Sequence, residues 1–558
     1  MKSRGRRRES MVNGQETGGV DGVPWIVDSG KAYDGSRTTG HGSRMMKWEV
    51  SMSDERKPRI IVHDDFDNLF TGLGVEDDHA AELESRAAVH LRAEADIVSL
   101  LAALPETTQY CPARAGEFVG THEGGSNDFY VIERRLAAAG IDPYGIVVGT
   151  LRKAGCPVLA KLRVSDWHHL APGLEGHASR FWLEHPEWRI GAIEAREGTK
   201  TSFDGLSCIG PHFGEIIVEH RGDLLDYAVP EVRRRRLEVV REFLTQYDVE
   251  GLTLNFIRDP MCLSFPERNA PLLTEFVAEC RKTVADTVGK RRRAPIMGAI
   301  VPWQFDLCRV MGLDVEHWLS GGYFDYVSPT DGFVSDFNMA IEPWVDLASR
   351  SPRRCAVYPG IIGYRSYAPH GKDTEDEFRS NVTHENVRAL AHGFYAEGAD
   401  GVSFFNFYSG VYNYLYPLTD LCLPERLEGR ERHYVYMKWP LYQECSFLKL
   451  VIEPTSKGRK TLSCRLHEDL KKVDAHVGFK ALRLRDIRSL RVDINGSEVP
   501  GSEISLIPNE GKGCLRAQFA LRDGMLRDGA NEMGFALRSR GAGENVVIQE
   551  VEIRVRPR

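Results

Sequence analysis

Short apolar runs that end in polar residues recur along this chain from about residue 59 to residue 409. RIIVHDD ends in Asp65, and PVLAKLRVSDWHH ends in Asp166 and His168. GLTLNFIRDP, FDYVSPTDGF and GVSFFNFYSG repeat the pattern. Strands of this kind, separated by amphipathic helices, are what a (β/α)₈ barrel requires, because its active site is built on the C-terminal face of the strands. We therefore expect the polar residues after these strands to share one cleft.

The chain divides into three parts that differ in composition and in hydrophobic periodicity. Residues 1–56 are rich in glycine, serine and charge with little periodicity, and predict a disordered tail. Residues 57–455 alternate strand-like and helix-like segments, and predict an α/β fold of the (β/α)₈ TIM-barrel type. Residues 456–558 consist of short alternating segments between NG, DG and GAG turns. This last pattern is typical of an antiparallel β-sandwich, used here as an accessory domain.

Eight segments are the candidate barrel strands. Their sequences are RIIVHD, TTQYCPA, PVLAKLRV, GLTLNFI, PIMGAIV, FDYVSP, RCAVYPG and GVSFFNF, with TTQYCPA placed second to complete the barrel. Helical patterns between them include AELESRAAVHLRAEADIVSLLAAL, VPEVRRRRLEVVREFL and PLLTEFVAECRKTVADTVGK. The arginine run in the second of these helices is interpreted as a solvated face, because Val232, Leu237 and Val240 recur at helical spacing.

Composition argues against several classes of protein. A net charge of −8 gives no overall basic field for nucleic acid. The sequence has no long apolar run, so no membrane-spanning helix is predicted. The basic start MKSRGRRRES is not followed by an apolar stretch, so no secretory signal is predicted, and the protein is expected to be cytoplasmic. The 11 cysteines are scattered without a CxxC pair, as in a reducing compartment. No GxGxxG after a strand and no P-loop occur, so no cofactor is predicted; the oligomeric state is left open.

The strand-end phrases resemble those of glycosyl hydrolase-like proteins related to family 10 glycosidases. The resemblance rests on an aspartate-containing loop before FDNLF, and on LRVSDWHHL, FWLEHPEWRIG, GLTLNFIRDP, LDVEHWLSGGYFDYVSP, VYPGI and GADGVSFFNFY. It covers most of residues 57–455. It implies a TIM barrel, often followed by a β-sandwich, that degrades polysaccharides or oligosaccharides.

One position departs from that resemblance. Such proteins typically carry an acidic residue where the fourth strand of this chain has Asn255, and an amide cannot ionise. Most glycosidases need two carboxyl groups. The chain is therefore predicted to be a glycosidase that uses other carboxyl groups or the substrate's own group, and the alternative is a non-catalytic carbohydrate-binding descendant.

The candidate site residues all lie at or near predicted strand ends. The candidate catalytic carboxylates are Asp65, Asp166 and Asp331; the candidate substrate-binding residues are His63, His168, Asn255, Arg258, Trp303, Tyr358 and Asn406. Imidazoles and amides bind sugar hydroxyls, an arginine binds a carboxylate, and aromatic faces stack on pyranose rings. His169 is expected to face away from His168, because neighbours on an extended segment point in opposite directions.

A metal-dependent hydrolase on the same barrel is a less favoured alternative. Such enzymes usually supply an HxH pair from the first strand, which here has only His63, and no HExxH occurs. The sequence therefore predicts no metal ligands and a carbohydrate as the partner.

Overall fold

The computed structural model describes most of the chain after residue 57. The described residues are 58–70, 79–119, 128–170, 174–203, 220–257, 259–291, 294–332, 334–366, 380–405, 417–436, 450–454, 458–507, 514–538 and 544–558. The predicted N-terminal tail, residues 1–56, lies outside these ranges.

The first part of the structure is one curled sheet of parallel strand segments with helices between them. The nine segments are β1 (Ile60–Asp64), β2 (Ile97–Ala103), β3 (Val158–Arg163), β4 (Gly251–Asn255), β5 (Ile296–Pro302), β6 (Tyr326–Thr330), β7 (Ala356–Val357), β8 (Gly360–Ile362) and β11 (Val402–Phe405); β9 (Tyr364–Ser366) and β10 (Ser380–Asn381) form a separate pair. The spatial order is β7-β6-β5-β4-β3-β2-β1-β11-β8. Only Tyr358 and Pro359 separate β7 from β8 along the chain, although they stand at opposite ends of this order. The arrangement is consistent with a TIM-like barrel.

Helices alternate with these strands as the sequence predicts. The described helices are α1 (His79–Arg92), α2 (Asp128–Ala138), α3 (Pro143–Lys153), α4 (Arg180–Glu184), α5 (Ile190–Arg196), α6 (Pro230–Gln246), α7 (Pro266–Val288), α8 (Phe305–Val310), α9 (Val315–Ser320), α10 (Glu342–Ser349), α11 (His384–Ala396), α12 (Thr419–Cys422) and α13 (Pro424–Leu427). Proline begins both α6 and α7, where its missing N–H costs nothing. The predicted helix within VPEVRRRRLEVVREFL is confirmed as α6.

One arginine of α6 corrects the expectation of a solvated arginine run. Arg236 is buried, and its guanidinium donates to the main-chain oxygens of Pro105 at 2.6 Å and Leu104 at 2.7 Å. The helix therefore fixes the loop that follows β2, since two carbonyl groups of that loop depend on it.

The second predicted strand is wrong. Within TTQYCPA only Thr108 takes part in pairing, through isolated bridges, and the second strand is β2, with the sequence IVSLLAA. Every residue of β2 is buried. A strand buried on both faces is a continuous apolar run without the alternation that marks a half-exposed strand. Its apolar residues therefore continued the helical pattern of the preceding segment, and the strand was read as part of that helix.

The barrel interior contains a polar layer between two apolar clusters. The first cluster contains Ile61, Ile97, Leu159, Ile296, Tyr326, Ala356 and Tyr358, and the second contains Ile257, Ile300, Ile362 and Phe405. The His63 ring lies between them, 6.4 Å from the ring of Tyr326 and 6.5 Å from that of Phe405. Ser99 donates to Thr253 at 2.7 Å, and Thr253 is bonded to the Tyr326 hydroxyl at 2.7 Å. The hydroxyl groups of Ser99, Thr253 and Tyr326 thus satisfy one another inside the barrel.

The C-terminal part consists of two antiparallel sheets. The larger contains β12 (Arg432–Tyr436), β13 (Leu450–Ile452), β15 (Val473–Leu482), β18 (Ser505–Ile507), β19 (Cys514–Leu521) and β21 (Val546–Pro557); the smaller contains β14 (Lys460–Leu466), β16 (Leu490–Ile494), β17 (Ser497–Val499) and β20 (Gly529–Leu537). Phe479 of β15 contacts Phe535 of β20 between the sheets, with ring centroids 5.3 Å apart. β12 and β13 precede residue 456, so this unit includes segments that the sequence assigned to the barrel.

Polar contacts join the barrel to the smaller sheet. Asn338 donates to the Ser463 oxygen at 2.9 Å and accepts from the Arg465 N–H at 2.8 Å. Glu397, just after α11, accepts from Arg465 and from His467, the latter at 2.9 Å. Among the described helices, none is long and apolar enough to cross a membrane.

Candidate functional site

A chain of buried charges runs across the C-terminal ends of β1 and β3. Lys161 donates to Asp65 at 2.7 Å, and Arg163 donates both to Asp65 and to Asp166. His168 contacts Asp166 through its ring Nδ1 and through its backbone N–H, the latter at 2.7 Å. We call these five residues the charge chain. Lys161 and Arg163 lie two apart on β3, so both side chains face the same side of the sheet.

The charge chain keeps Asp166 ionised. Burial acts to raise the pKa of Asp166, but His168 and Arg163 outweigh it and hold that pKa well below its usual range. Asp65 is held from two sides by the cations Lys161 and Arg163. Asp166 can therefore supply a fixed negative charge, whereas Asp65 neutralises and orients its two basic partners.

Aromatic rings extend from the charge chain toward solvent. Trp167 stacks on His220 with centroids 4.5 Å apart and planes 4° apart, and on His168 with centroids 5.6 Å apart. All three are half-buried. His169 instead is buried and contacts Trp182 edge-on at 4.7 Å. Residues His168–Leu170 form a 3₁₀ helix, so the extended segment from which its orientation was predicted is not present. Flat half-buried rings beside a carboxylate suit a sugar, whose C–H faces are apolar and whose edges are polar.

A second buried carboxyl group, which the sequence did not identify, lines the same small cavity as Asp166. Glu106 follows β2, is buried, and accepts a hydrogen bond from Ser179 at 2.8 Å. Glu106 and Asp166 line one small cavity, together with Tyr227 and Arg236. Burial raises the pKa of Glu106 to about 7. The residue was missed because the second strand was misplaced; a glutamate just after IVSLLAA is the signal that would have identified it.

The end of β4 presents an amide with an unused donor. Asn255 is fully buried, and its Oδ1 accepts from the Ile257 N–H at 2.9 Å. Its register partner on β3 is Arg163, so both face the barrel interior. Asn255 Nδ2 has no hydrogen-bond partner within the described part of the chain, and the same holds for Thr330 Oγ1 and Trp303 Nε1. Buried donors without partners are costly, so they mark places that a polar group would stabilise.

Two of the predicted substrate-binding residues do not reach the C-terminal mouth of the barrel. His63 is enclosed in the barrel, where its Nε2 is 3.2 Å from Ser328 Oγ, and burial together with Lys161 holds its pKa well below its usual range. The Tyr358 hydroxyl donates to the oxygen of Pro58, which precedes β1, at 2.7 Å. Tyr358 therefore points to the N-terminal end of the barrel, and its predicted place in the cleft is wrong. His63 is likewise too deep to meet a ligand at the barrel mouth.

The remaining predicted residues have mixed outcomes. Asp331 is buried directly after β6. Trp303 follows β5 and is half-buried. Arg258 and Asn406 lie outside the described residues. Within the described ranges, no group of three or more His, Cys, Asp or Glu side chains is arranged to hold a metal ion.

Comparison with known proteins gives similarities of fold at low identity. No family model matches the chain, and no curated protein matches it. A cycloisomaltooligosaccharide glucanotransferase of Paenibacillus sp., solved with cycloisomaltoheptaose, is 9% identical with a TM-score of 0.33 over 88% of this chain and 57% of its own. An α-L-fucosidase of Paenibacillus thiaminolyticus is 10% identical with a TM-score of 0.37 over 68% of this chain and 51% of its own.

A maltogenic α-amylase of Thermotoga neapolitana is 10% identical with a TM-score of 0.34, over 86% of this chain and 99% of its own. The chain thus spans little more than half the length of the glucanotransferase and of the Paenibacillus fucosidase. At these identities and TM-scores the similarities carry no argument about activity. The chemistry of the site has to follow from the residues of this chain.

Proposed function

We propose that this chain is a glycoside hydrolase that cleaves a polysaccharide or oligosaccharide at the C-terminal end of the barrel strands. The observation that supports this most is Asp166, an ionised carboxylate fixed by Arg163 and His168 beside the stacked ring of Trp167. Glycoside cleavage passes through a positively charged, oxocarbenium-like transition state, which a fixed carboxylate stabilises. Stacked rings orient the sugar above that charge.

In this proposal Asp166 meets the developing charge at the anomeric carbon. Arg163 is a positioning residue, because it holds Asp166 and Asp65 in place. The reaction also needs an acid, usually a carboxylic acid, to protonate the leaving oxygen. Among the described residues, the buried carboxyl groups in the segments that follow other strands include Glu106, Asp259 and Asp331.

A non-catalytic carbohydrate-binding protein is the second candidate, and Asn255 favours it. The amide stands where proteins of the resembled family carry a carboxylate, and its free Nδ2 donor suits a sugar hydroxyl or ring oxygen. A binding protein needs such donors but does not need an acid. Measurement of both binding and product release separates the two candidates.

The experiment is a panel of neutral and acidic glycans, assayed for binding and for release of reducing ends. We expect wild type to release product from at least one glycan that it binds. If the protein binds glycans but releases no reducing ends from any of them, the hydrolase proposal is wrong and the carbohydrate-binding protein is the better candidate.

Asn255→Asp on the same panel tests the amide. If the site has lost one carboxylate, the variant gains hydrolysis by several orders of magnitude, since one proton-transfer group contributes about 10²–10⁴-fold. Asn255→Ser, which places no carboxylate there, is the control and should gain nothing. If wild type is already active and Asn255→Asp slows it, the amide of Asn255 itself contributes to the reaction.

A further inference from the structure

We propose that His168 is the group that protonates the glycosidic oxygen, with its ring held in place by the buried Asp166. This inference rests on the proposed function and adds to it the source of the proton. The two residues lie two apart in the segment directly after β3, at the C-terminal end of the barrel strands. An imidazole thus takes the place of the carboxylic acid that most glycosidases use.

His168 is the member of the charge chain that solvent reaches most. Its side chain is 24% exposed, whereas those of the other four members are at most 7% exposed. Both oxygens of Asp166 are occupied, since Oδ2 accepts from Arg163 and Oδ1 contacts the backbone N–H and the ring of His168. A glycosidic oxygen can therefore approach the imidazole, while Asp166 acts through its charge.

The contact with Asp166 fixes which ring nitrogen transfers the proton. His168 contacts Asp166 through Nδ1, and an ionised carboxylate only accepts, so Nδ1 carries a hydrogen. Nε2 has no hydrogen-bond partner among the residues that the structure describes. Nε2 is thus the nitrogen that gives and takes a proton. In such a pair the carboxylate orients the ring and stabilises its charged form.

The ring of His168 is held by further contacts. Its backbone N–H donates to Asp166 at 2.7 Å, at the start of the 3₁₀ helix His168–Leu170. Trp167 stacks on the ring with centroids 5.6 Å apart and planes 15° apart, and the His177 ring lies edge-on at 6.5 Å. Proton transfer needs a donor within about 3 Å of its acceptor, and a ring held in this way preserves such geometry.

A second imidazole–carboxylate pair shows what distinguishes the first. His185 Nδ1 lies 2.9 Å from Glu187 Oε1, with the same two-residue spacing, in the segment between α4 and α5. Glu187 is 51% exposed, so water screens its charge. Asp166 is buried and is also bound by Arg163, so its charge acts on His168 with little screening.

The proposed step balances in protons and electron pairs. Nε2 of the His168 imidazolium gives its proton to the glycosidic oxygen while the bond between that oxygen and the anomeric carbon breaks, and the electron pair stays on the oxygen. The leaving sugar departs as an alcohol, and the charge of Asp166 stabilises the positive charge on the anomeric carbon. Water then adds to that carbon and gives a proton to Nε2, which restores the imidazolium. The hydrogen on Nδ1 stays on the ring throughout.

The test compares two substrates of His168→Asn, whose amide can donate to Asp166 but cannot transfer a proton. One is a glycan that wild type cleaves, and the other is the 2,4-dinitrophenyl glycoside of the same sugar, whose leaving group needs no proton. We expect kcat/KM on the glycan to fall about 10²–10⁴-fold and kcat/KM on the dinitrophenyl glycoside to change little.

Two further variants control for structural effects. His185→Asn removes an imidazole that contacts a carboxylate outside the charge chain, so it should leave kcat/KM on both substrates unchanged. His168→Gln removes the same imidazole with a longer amide, so it should show the same selective loss on the glycan even if His168→Asn folds poorly.

Two outcomes would overturn the inference alone. Equal losses of kcat/KM on both substrates in both His168 variants would indicate a structural role, and an unchanged kcat/KM on the glycan would mean that another group supplies the proton. A wild type that cleaves neither substrate for any sugar would overturn the proposed function with it.

Discussion

Arg163→Met removes the cation that two buried carboxylates share. Arg163 is 4% exposed, and removing one partner of a buried ion pair costs about 3–5 kcal/mol. Asp65 keeps Lys161 at 2.7 Å and Asp166 keeps His168, so each carboxylate retains one partner. We therefore expect the lower end of that range, a loss of about 3 kcal/mol in the free energy of unfolding at pH 7.

The loss should depend on pH in a defined direction. The pKa of Asp166 is lowered in the folded protein, so its ion pair stabilises the fold above the unfolded pKa of about 3.9. That contribution disappears as pH falls from this value through the folded pKa. The difference between wild type and Arg163→Met should thus be largest near neutral pH and shrink below about pH 4.

Urea denaturation followed by tryptophan fluorescence at several pH values measures both effects. Arg268→Met is the control, since Arg268 pairs with Glu197 at 2.7 Å and both side chains are exposed, so its loss should change the free energy of unfolding little. Equal losses for the two variants, or a loss for Arg163→Met that does not change with pH, would refute the account of the charge chain.

Two other predictions concern the barrel core and the contact between the two parts of the chain. Gly298→Ala should cost about 1–3 kcal/mol in urea, because its Cβ would lie 2.0 Å from the Tyr326 ring, whereas Gly149→Ala on α3 has open space and should not destabilise; equal effects would contradict this. The hydrogen bond to Glu397 raises the pKa of His467, so it stabilises the fold below the unfolded pKa of about 6.5 and is lost as pH rises through the folded pKa. Thermal unfolding of His467→Gln should show less dependence on pH above about 6.5, and an unchanged dependence would remove His467 as its source.

Seven of the nine parallel strand segments overlap predicted strands, whereas β2 and β8 were not predicted. The predicted strands could be identified because each is an apolar run with polar loops on both sides. α1 ends at Arg92, and Glu94 takes a left-handed conformation with φ of 57° before β2 begins. A glutamate carries no sequence signal for that conformation, so the helix and the buried strand after it read as one segment.

The candidate site was predictable where its members are neighbours in sequence. Asp166 and His168 stand two residues apart, and their contact follows from that spacing. Lys161 and Arg163 share one face of β3, but the carboxylate that they pair with, Asp65, comes from β1 and is supplied only by the fold. For Tyr358, the sequence does not specify toward which end of the barrel a side chain between two strand segments points.

The most direct test of the central proposal is kcat of Asp166→Asn on a glycan that wild type cleaves, measured beside Asp65→Asn and with glycan binding followed in parallel. The amide keeps the shape of Asp166 but cannot carry the charge that meets the anomeric carbon. We expect Asp166→Asn to retain glycan binding and to lose kcat by about 10²-fold or more, while Asp65→Asn acts mainly through stability. Unchanged turnover in Asp166→Asn would contradict the proposal.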